Sequence, residues 1–359
     1  MPTIHSVSTV SPPVEIRQED AMSFARSLFS DSFKDIDRLL KVFRNGEIET
    51  RQVCMPIEWY AEPHDFETKN DLYIKHAVEL SKQAVEQCLN DTSTLERPVD
   101  PAEIDAIFFI SSSGIATPSI DARLINQLPF RHDVKRIPIW GLGCAGGAAG
   151  MSRAFDYCKA YPESNVLVIA AELCSLTFQR DDVSKSNLVG VSLFSDGVAC
   201  ALVSGKQSTI KNTRPMPVIR ATSSRFMPDS EEVMGWDIKN DGLHVVFSKS
   251  IPTVITSWLG PFVHQFVEDQ ELSMDDVEHF VAHPGGKKVL LAYEKALSME
   301  TEQTAISKRV LQQHGNMSSP TALFVLKEFI DQQPAAGEYG LMAALGPGFC
   351  GELLLLEWQ

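Results

Sequence analysis

The chain has 359 residues, of which 44% are hydrophobic, and its formal net charge is −15. This composition supports a large buried core, while the negative charge argues against nucleic acids and anionic membranes as main partners. We expect no membrane span and no secretory leader, because the sequence lacks a long apolar run and a charged-then-apolar N-terminus. Seven scattered cysteines without a CxxC pair indicate neither a zinc site nor disulfides, which favours a reducing cytoplasm.

Residue periodicity then divides the chain into alternating elements. Helical spacing predicts helices over 18–44, with a break at Asp31 and Ser32, and over 71–90, 119–128 and 247–269. Continuous apolar runs predict buried strands over 105–113, 165–172, 196–203, 278–283, 339–344 and 351–356. Alternation of this kind predicts an α/β fold with buried sheets, and the turn-rich stretch over 204–245 is expected to connect two halves.

Cys144 lies where a predicted strand, 136–140, turns into a predicted helix, 148–161. The free amides and the dipole of a helix start stabilise a thiolate, so we expect the pKa of this thiol to be lowered. Gly143 and Gly146 remove side-chain bulk on both sides and would let a substrate approach the sulfur closely.

The second half repeats the order of the first. Strand 278–283 corresponds to strand 105–110, and Asn316, before a predicted helix over 320–329, corresponds to Cys144. A pseudo-two-fold duplication would bring the two helix starts together, with His283 at the end of a neighbouring strand. We therefore divide the chain into halves at 1–205 and 206–359.

A thiol, an imidazole and a carboxamide in one pocket suit acyl transfer to sulfur followed by carbon–carbon bond formation. His283 can exchange a proton near neutral pH, and Asn316 offers an uncharged N–H donor. Together they can stabilise an oxyanion or an enolate, which a carboxylate at position 316 would repel.

At these residues the sequence resembles the type III polyketide synthases, the family of chalcone synthase. The resemblance rests on Gly-Cys-Ala-Gly-Gly at 143–147, His-Pro-Gly-Gly at 283–286, Gly-Asn-Met-Ser-Ser at 315–319 and Leu-Phe-Ser-Asp-Gly at 193–197. It implies a thiolase-like, five-layered αβαβα fold of two pseudo-duplicated halves, and a homodimer. It also implies an acyltransferase that loads an acyl-CoA on Cys144 and condenses it with malonyl-CoA beside the gatekeeper Phe194, with no cofactor and no carrier protein.

The same resemblance suggests where the substrates bind. The pocket-shaping positions fall on Cys174, Thr177, Ser318 and Leu345, where Leu345 replaces a usual phenylalanine. The CoA phosphates would meet the basic set Arg38, Lys41 and Arg44, although one usual lysine position falls on Asn45. The segments 135–144 and 171–178 are most similar to bacterial alkylpyrone-forming members, which use fatty acyl-CoA starters.

These observations favour a synthase that extends a medium- or long-chain acyl-CoA and releases a triketide α-pyrone. A tetraketide alkylresorcinol is the alternative product. A β-ketoacyl carrier-protein synthase shares the three site residues but would require carrier-bound malonate. A non-catalytic acyl-CoA binder is a third possibility, which the intact Cys144, His283 and Asn316 oppose.

Overall fold

The computed structural model describes residues 1–30 and 35–359. The predicted helix break at Asp31 and Ser32 lies outside the described residues. The strands are β1 Thr3–Val10, β2 Val14–Arg17, β3 Thr50–Val53, β4 Ala106–Ile110, β5 Lys135–Ile139, β6 Asn165–Leu173, β7 Asp196–Ser204, β8 Pro217–Phe226, β9 Met234–Lys239, β10 Gly242–Phe247, β11 Val277–Ala282, β12 Tyr339–Gly346 and β13 Cys350–Trp358. The helices are α1 Gln18–Phe29, α2 Ile36–Leu39, α3 Lys41–Asn45, α4 Phe66–Leu89, α5 Ile120–Ile125, α6 Gly146–Ala160, α7 Lys185–Leu193, α8 Ile251–Val254, α9 Gly260–Glu268, α10 Lys287–Leu297, α11 Ala305–His314 and α12 Thr321–Asp331.

A nine-stranded sheet runs through both halves in the order β11-β12-β13-β8-β1-β7-β6-β4-β5. The strands of the first half follow the order β5-β4-β6-β7-β1, and those of the second follow the matching order β11-β12-β13-β8. The two halves join where β1 pairs with β8 through Thr3 and Val218. Because one sheet crosses this join, the division at 205 and 206 stays a prediction.

Alternate side chains of the strands face opposite cores, as the period of two requires. On β4, Ile107 and Phe109 pack outward against α4 and α5, whereas Phe108 and Ile110 pack inward against α6 and α12. Strands of the second half also pack inward on α6 and α12, and their other face meets α8 to α10. The layers are therefore helix, strand, helix, strand, helix, and the expected five-layered αβαβα fold is confirmed.

One local expectation is wrong, and the correspondence between the two halves is incomplete at the site residues. The helix expected over 247–269 begins later, because Phe247 still belongs to β10; α8 and α9 are then joined by a π-helical turn, Ile255–Leu259. The segment before Asn316 is helix α11, whereas β5 precedes Cys144. The repeat thus conserves the sheet order better than it conserves the approach to the two site residues.

Candidate active site

Cys144 lies in a single 3₁₀ turn, Gly143–Ala145, between β5 and the start of α6. Gly143 has φ of +45°, and a Cβ on it would lie 2.8 Å from Pro347. A Cβ on Gly147 would lie 2.2 Å from the Ser319 carbonyl oxygen, at the start of α12. Gly147 therefore lets the two central helix starts touch, and Gly143 lets the nucleophile turn lie against Pro347.

Asn316 is held by its backbone and by its side chain. Its N–H donates to the Leu193 carbonyl (2.9 Å), and its carbonyl accepts from Ser195 N–H (3.0 Å), so it lies directly beside Phe194. The side-chain Nδ2 donates to the Gly285 carbonyl (3.2 Å), and Oδ1 accepts from Ser318 N–H (2.7 Å). These contacts fix the amide orientation and connect Asn316 to the turn that follows His283.

His283 follows β11 and is 2% exposed. Its N–H donates to the Ala343 carbonyl (2.8 Å), which anchors the backbone to β12. Both ring nitrogens are buried without a hydrogen-bond partner. Because buried polar atoms normally find partners, this imidazole is poised to bond a group that enters the site.

The site holds its acid–base groups uncharged. Burial raises the pKa of Cys144 to about 11, although the nearby Ser318 and Asn316 side chains lower it. The expectation of a lowered thiol pKa is therefore wrong, because loss of hydration outweighs the stabilisation available at the turn. Burial likewise lowers the pKa of His283 to about 3.

Glu172 is a site residue that the sequence reasoning missed. Its carboxylate is fully buried and accepts hydrogen bonds from the hydroxyls of Ser112 (2.9 Å), Ser113 (2.6 Å) and Ser319 (3.0 Å). Burial raises the pKa of Glu172, and its charge contributes to the raised pKa of Cys144. A lone carboxylate within the apolar strand 165–173 was the signal that could have identified it.

Three of the predicted pocket residues, Phe194, Cys174 and Thr177, line one pocket enclosing about 610 Å³ of empty space. Cys174, in the pocket wall, lies near enough to Cys144 for the charge of Cys144 to contribute to its raised pKa. Among the described residues that line the pocket, none is Cys144, His283 or Asn316.

Ser318 lies beside the thiol, but the structure does not bring Leu345 to this pocket. The Leu345 side chain is 4% exposed and packs in the outer core with Phe349. The following Gly346 touches the nucleophile turn, where its Cβ would lie 2.5 Å from the Leu142 carbonyl oxygen. Within this strand, Gly346 is therefore the residue that lies against the nucleophile turn.

The predicted CoA-binding residues Arg38, Lys41 and Arg44 are exposed on α2 and α3. Among the described residues, none of the three forms a salt bridge, so their charges are available to a ligand. The end of α3 is tied to the start of α10 by Glu47, which pairs with Lys287 at 2.6 Å. This salt bridge places α2 and α3, which carry the three basic residues, near the end of the turn that follows His283.

Residues 1–30 and 35–359 contain neither of two other kinds of site. No group of His, Cys, Asp or Glu side chains in these ranges is arranged to hold a metal ion. None of the helices there combines the length and hydropathy needed to cross a membrane.

Family models agree with this geometry over nearly the whole chain. Residues 3–207 match the N-terminal domain of the chalcone and stilbene synthases, and residues 218–358 match the C-terminal domain. The chain belongs to this family. As a type III polyketide synthase, it is an acyltransferase that performs decarboxylative Claisen condensation.

Individual relatives cover the same length. A Bacillus subtilis (strain 168) protein described as "Putative chalcone synthase" is 49% identical, over 100% of this chain and 99% of its own. The solved 1,3,6,8-tetrahydroxynaphthalene synthase of Streptomyces coelicolor A3(2), a bacterial type III polyketide synthase, has a TM-score of 0.91 and 29% identity, with 99% of each chain covered. The α-pyrone synthesis polyketide synthase-like Pks18 of Mycobacterium tuberculosis is 27% identical over 99% of this chain and 90% of its own.

Proposed function

We propose that this polyketide synthase extends a medium- or long-chain fatty acyl-CoA with two malonyl units and releases a triketide alkyl-α-pyrone. The main support for this proposal is the apolar pocket bordered by Cys174 and Phe194. Its walls include apolar side chains of α1, of the β2–β3 ribbon and of α7, among them Phe24, Val53 and Val191. A hydrocarbon gains about 0.8 kcal/mol for each methylene buried in such surroundings.

The polar side chains around this pocket are already engaged with the protein. The Tyr60 hydroxyl bonds Ser175 Oγ (2.6 Å), and Thr177 Oγ1 donates to the Cys174 carbonyl (2.7 Å). Asn187 Nδ2 donates to the Gln179 carbonyl (2.7 Å). A polar starter would have to compete for these groups, whereas an alkyl chain leaves every bond intact.

Arg51 is the charged residue in the pocket wall, and it too is engaged. Its Nη1 donates to the carbonyls of Phe194 (2.9 Å) and Val191 (2.5 Å). Burial lowers the pKa of Arg51 to about 10, so it stays protonated at neutral pH. We assign it the role of holding the Phe194 backbone rather than of binding a substrate carboxylate.

The proposed loading step begins with two neutral groups. As the Cys144 sulfur attacks the acyl-CoA carbonyl, its proton passes to the His283 imidazole, which returns it to the departing CoA thiolate. The imidazole is neutral at rest because burial lowers its pKa to about 3. Protonating it therefore costs free energy, which the negative charge that develops on the attacked carbonyl oxygen beside it offsets.

Malonyl-CoA then loses CO₂, and its thioester carbonyl becomes an enolate. The imidazole of His283 and the Nδ2 of Asn316 donate to the enolate oxygen, while its carbon attacks the acyl group on Cys144. A second round gives the triketide, whose enol oxygen attacks the thioester carbon and closes the lactone. One acyl-CoA and two malonyl-CoA thus yield one pyrone, two CO₂ and three CoA, and no cofactor is needed.

We further propose a homodimer formed at the β5 edge of the sheet. β5 ends the sheet order, and the apolar side chains of Ile115 and Trp140 beside it are 44% and 51% exposed. Unpaired edges with apolar neighbours favour association. We expect Trp140→Glu to elute as a monomer in light-scattering chromatography, where Ile238→Glu, an exposed control on β9, stays dimeric. The seven free cysteines support a cytoplasmic location.

Mass spectrometry of products from a graded set of acyl-CoA starters tests the proposed reaction. We expect the mass of each product to equal that of the starter acyl group plus two decarboxylated malonyl units. The last CoA is released when the ring closes. Three extensions with further CO₂ loss would instead establish the alkylresorcinol route. Products from malonyl-CoA alone, or a strict need for carrier-bound malonate, would contradict the proposal.

A further inference from the structure

Ile16, Phe24 and Ile57 form part of the pocket wall. The same three side chains also line an open groove on the surface, which encloses about 1090 Å³. A barrier one side chain thick therefore separates the acyl pocket from this second space. The three residues come from β2, α1 and the turn after β3, so no single element forms the barrier.

The groove beyond the barrier is acidic. Glu15, Asp20 and Glu58 line it, and among the described residues its lining contains no lysine or arginine. Such a surface repels the phosphates of CoA and any ω-carboxylate. A neutral hydrocarbon end is therefore the part of a substrate that this exit admits.

Phe24 is the side chain best placed to open the barrier. It is half-buried on α1, and its ring meets Phe178 edge-on, with 6.1 Å between ring centroids. Because the groove lies on its other side, the ring can move to another rotamer without displacing core side chains. The half-buried Ile57, in the turn that precedes Trp59–Ala61, shares this freedom.

We propose that Phe24, together with Ile16 and Ile57, forms a gate that sets the length of the starter chain. Starters that fit the pocket end against the closed gate, and longer saturated chains displace Phe24 and extend their methyl end into the acidic groove. This inference rests on the proposed use of fatty acyl-CoA starters and adds which residues measure them.

Chain-length profiles of Phe24→Ala and Phe24→Trp provide the first test. For Phe24→Ala we expect the optimum of kcat/KM to move to longer starters, with a gain of roughly fourfold for each methylene past the wild-type optimum that stays in apolar surroundings. Phe24→Trp should move the optimum to shorter starters. Leu28→Ala is the matched control, because Leu28 lies on the same helix and lines neither space. Identical profiles for wild type and both Phe24 variants would overturn the gate.

Crosslinking of wild-type enzyme provides a test that does not depend on the variants. A fatty acyl-CoA with a diazirine at its methyl end is loaded on Cys144 without malonyl-CoA, irradiated and mapped by peptide mass spectrometry. We expect label in 14–24 and 53–58. Label elsewhere, in an enzyme that still makes polyketides, would refute the gate alone, whereas no acylation of Cys144 and no condensation with any starter would refute the proposed function.

Discussion

The starts of α6 and α12 occupy equivalent places in the two halves, yet the proposed mechanism gives them different chemical roles. The first presents Cys144 after a strand at the exposed edge of the sheet. The second presents Asn316 after helix α11, locked between Leu193, Ser195 and Gly285. In the proposed mechanism, one half thus supplies the nucleophile that exchanges its acyl load, and the other supplies a fixed hydrogen-bond donor. The duplicated scaffold places both residues, although the elements that lead to them differ.

Replacing Cys144, which removes the nucleophilic sulfur, should have the largest effect on product formation. We expect Cys144→Ala to lower pyrone formation by about 10⁴-fold or more, the scale of a lost nucleophile. Decarboxylation of malonyl-CoA should persist, because His283 and Asn316 still face the enolate. Radiolabelled CO₂ release measured beside product formation checks both. Pyrone release at the wild-type rate would remove Cys144 from the mechanism.

Removing the amide should give the complementary result. We expect Asn316→Ala to slow decarboxylation by about 10²- to 10³-fold, as for a lost oxyanion donor. Acyl loading on Cys144, followed by intact-mass measurement, should continue. Asn316→Asp is the matched variant, and its carboxylate should be at least as harmful because it repels the enolate. Unchanged decarboxylation in both variants would contradict the assigned role.

The pH dependence of alkylation tests the uncharged state of the thiol. Because the pKa of Cys144 is raised to about 11, its thiolate fraction at pH 7 is about 100-fold below that of a thiol with the ordinary value of 9.0. Iodoacetamide labelling of the free enzyme should therefore be slow at pH 7 and rise throughout the range to pH 10. A plateau below pH 8 would show that the turn stabilises the thiolate after all.

A substitution that pushes the starts of α6 and α12 apart should have the smallest effect on activity. A Cβ on Gly147 would lie 2.2 Å from the Ser319 carbonyl oxygen, so we expect Gly147→Ala to cost about 1–3 kcal/mol in unfolding free energy. Condensation should fall more than loading, because Cys144 and Asn316 are displaced relative to each other. Gly235→Ala is the control, since nothing lies within 4 Å of its Cβ. Equal stability of both variants in denaturant melts would refute close packing at Gly147.

Sequence reasoning anticipated the parts of this molecule that local patterns encode. Apolar runs identified the buried strands, and the repeat of the two halves predicted that Cys144, His283 and Asn316 lie near one another. The effect of burial on the site could not be predicted, because burial depends on tertiary packing. The pKa of Cys144 is raised, whereas its position at a helix start alone predicted a lowered pKa. The catalytic roles of the three residues stay predictions until the variants are measured.

The sequence alone could not predict features that are assembled from distant segments of the chain. Leu345 was predicted to shape the substrate pocket, but it belongs to the apolar core that meets α8 to α10 and does not line the pocket bordered by Cys174 and Phe194. Ile16, Phe24 and Ile57 belong to three separate elements, and no motif connects them. Arg51 carries no signal that separates it from a surface arginine until the fold buries it against Phe194.

The pairing of β1 with β7 imposes an order on synthesis. Val10 meets Val198 in this ladder, so the first strand leaves the ribosome long before its neighbour. At about 5–20 residues per second, translation of the intervening chain takes roughly 10–40 s. During that interval the nascent N-terminus has no partner strand, and protection of this segment by a chaperone would matter most then.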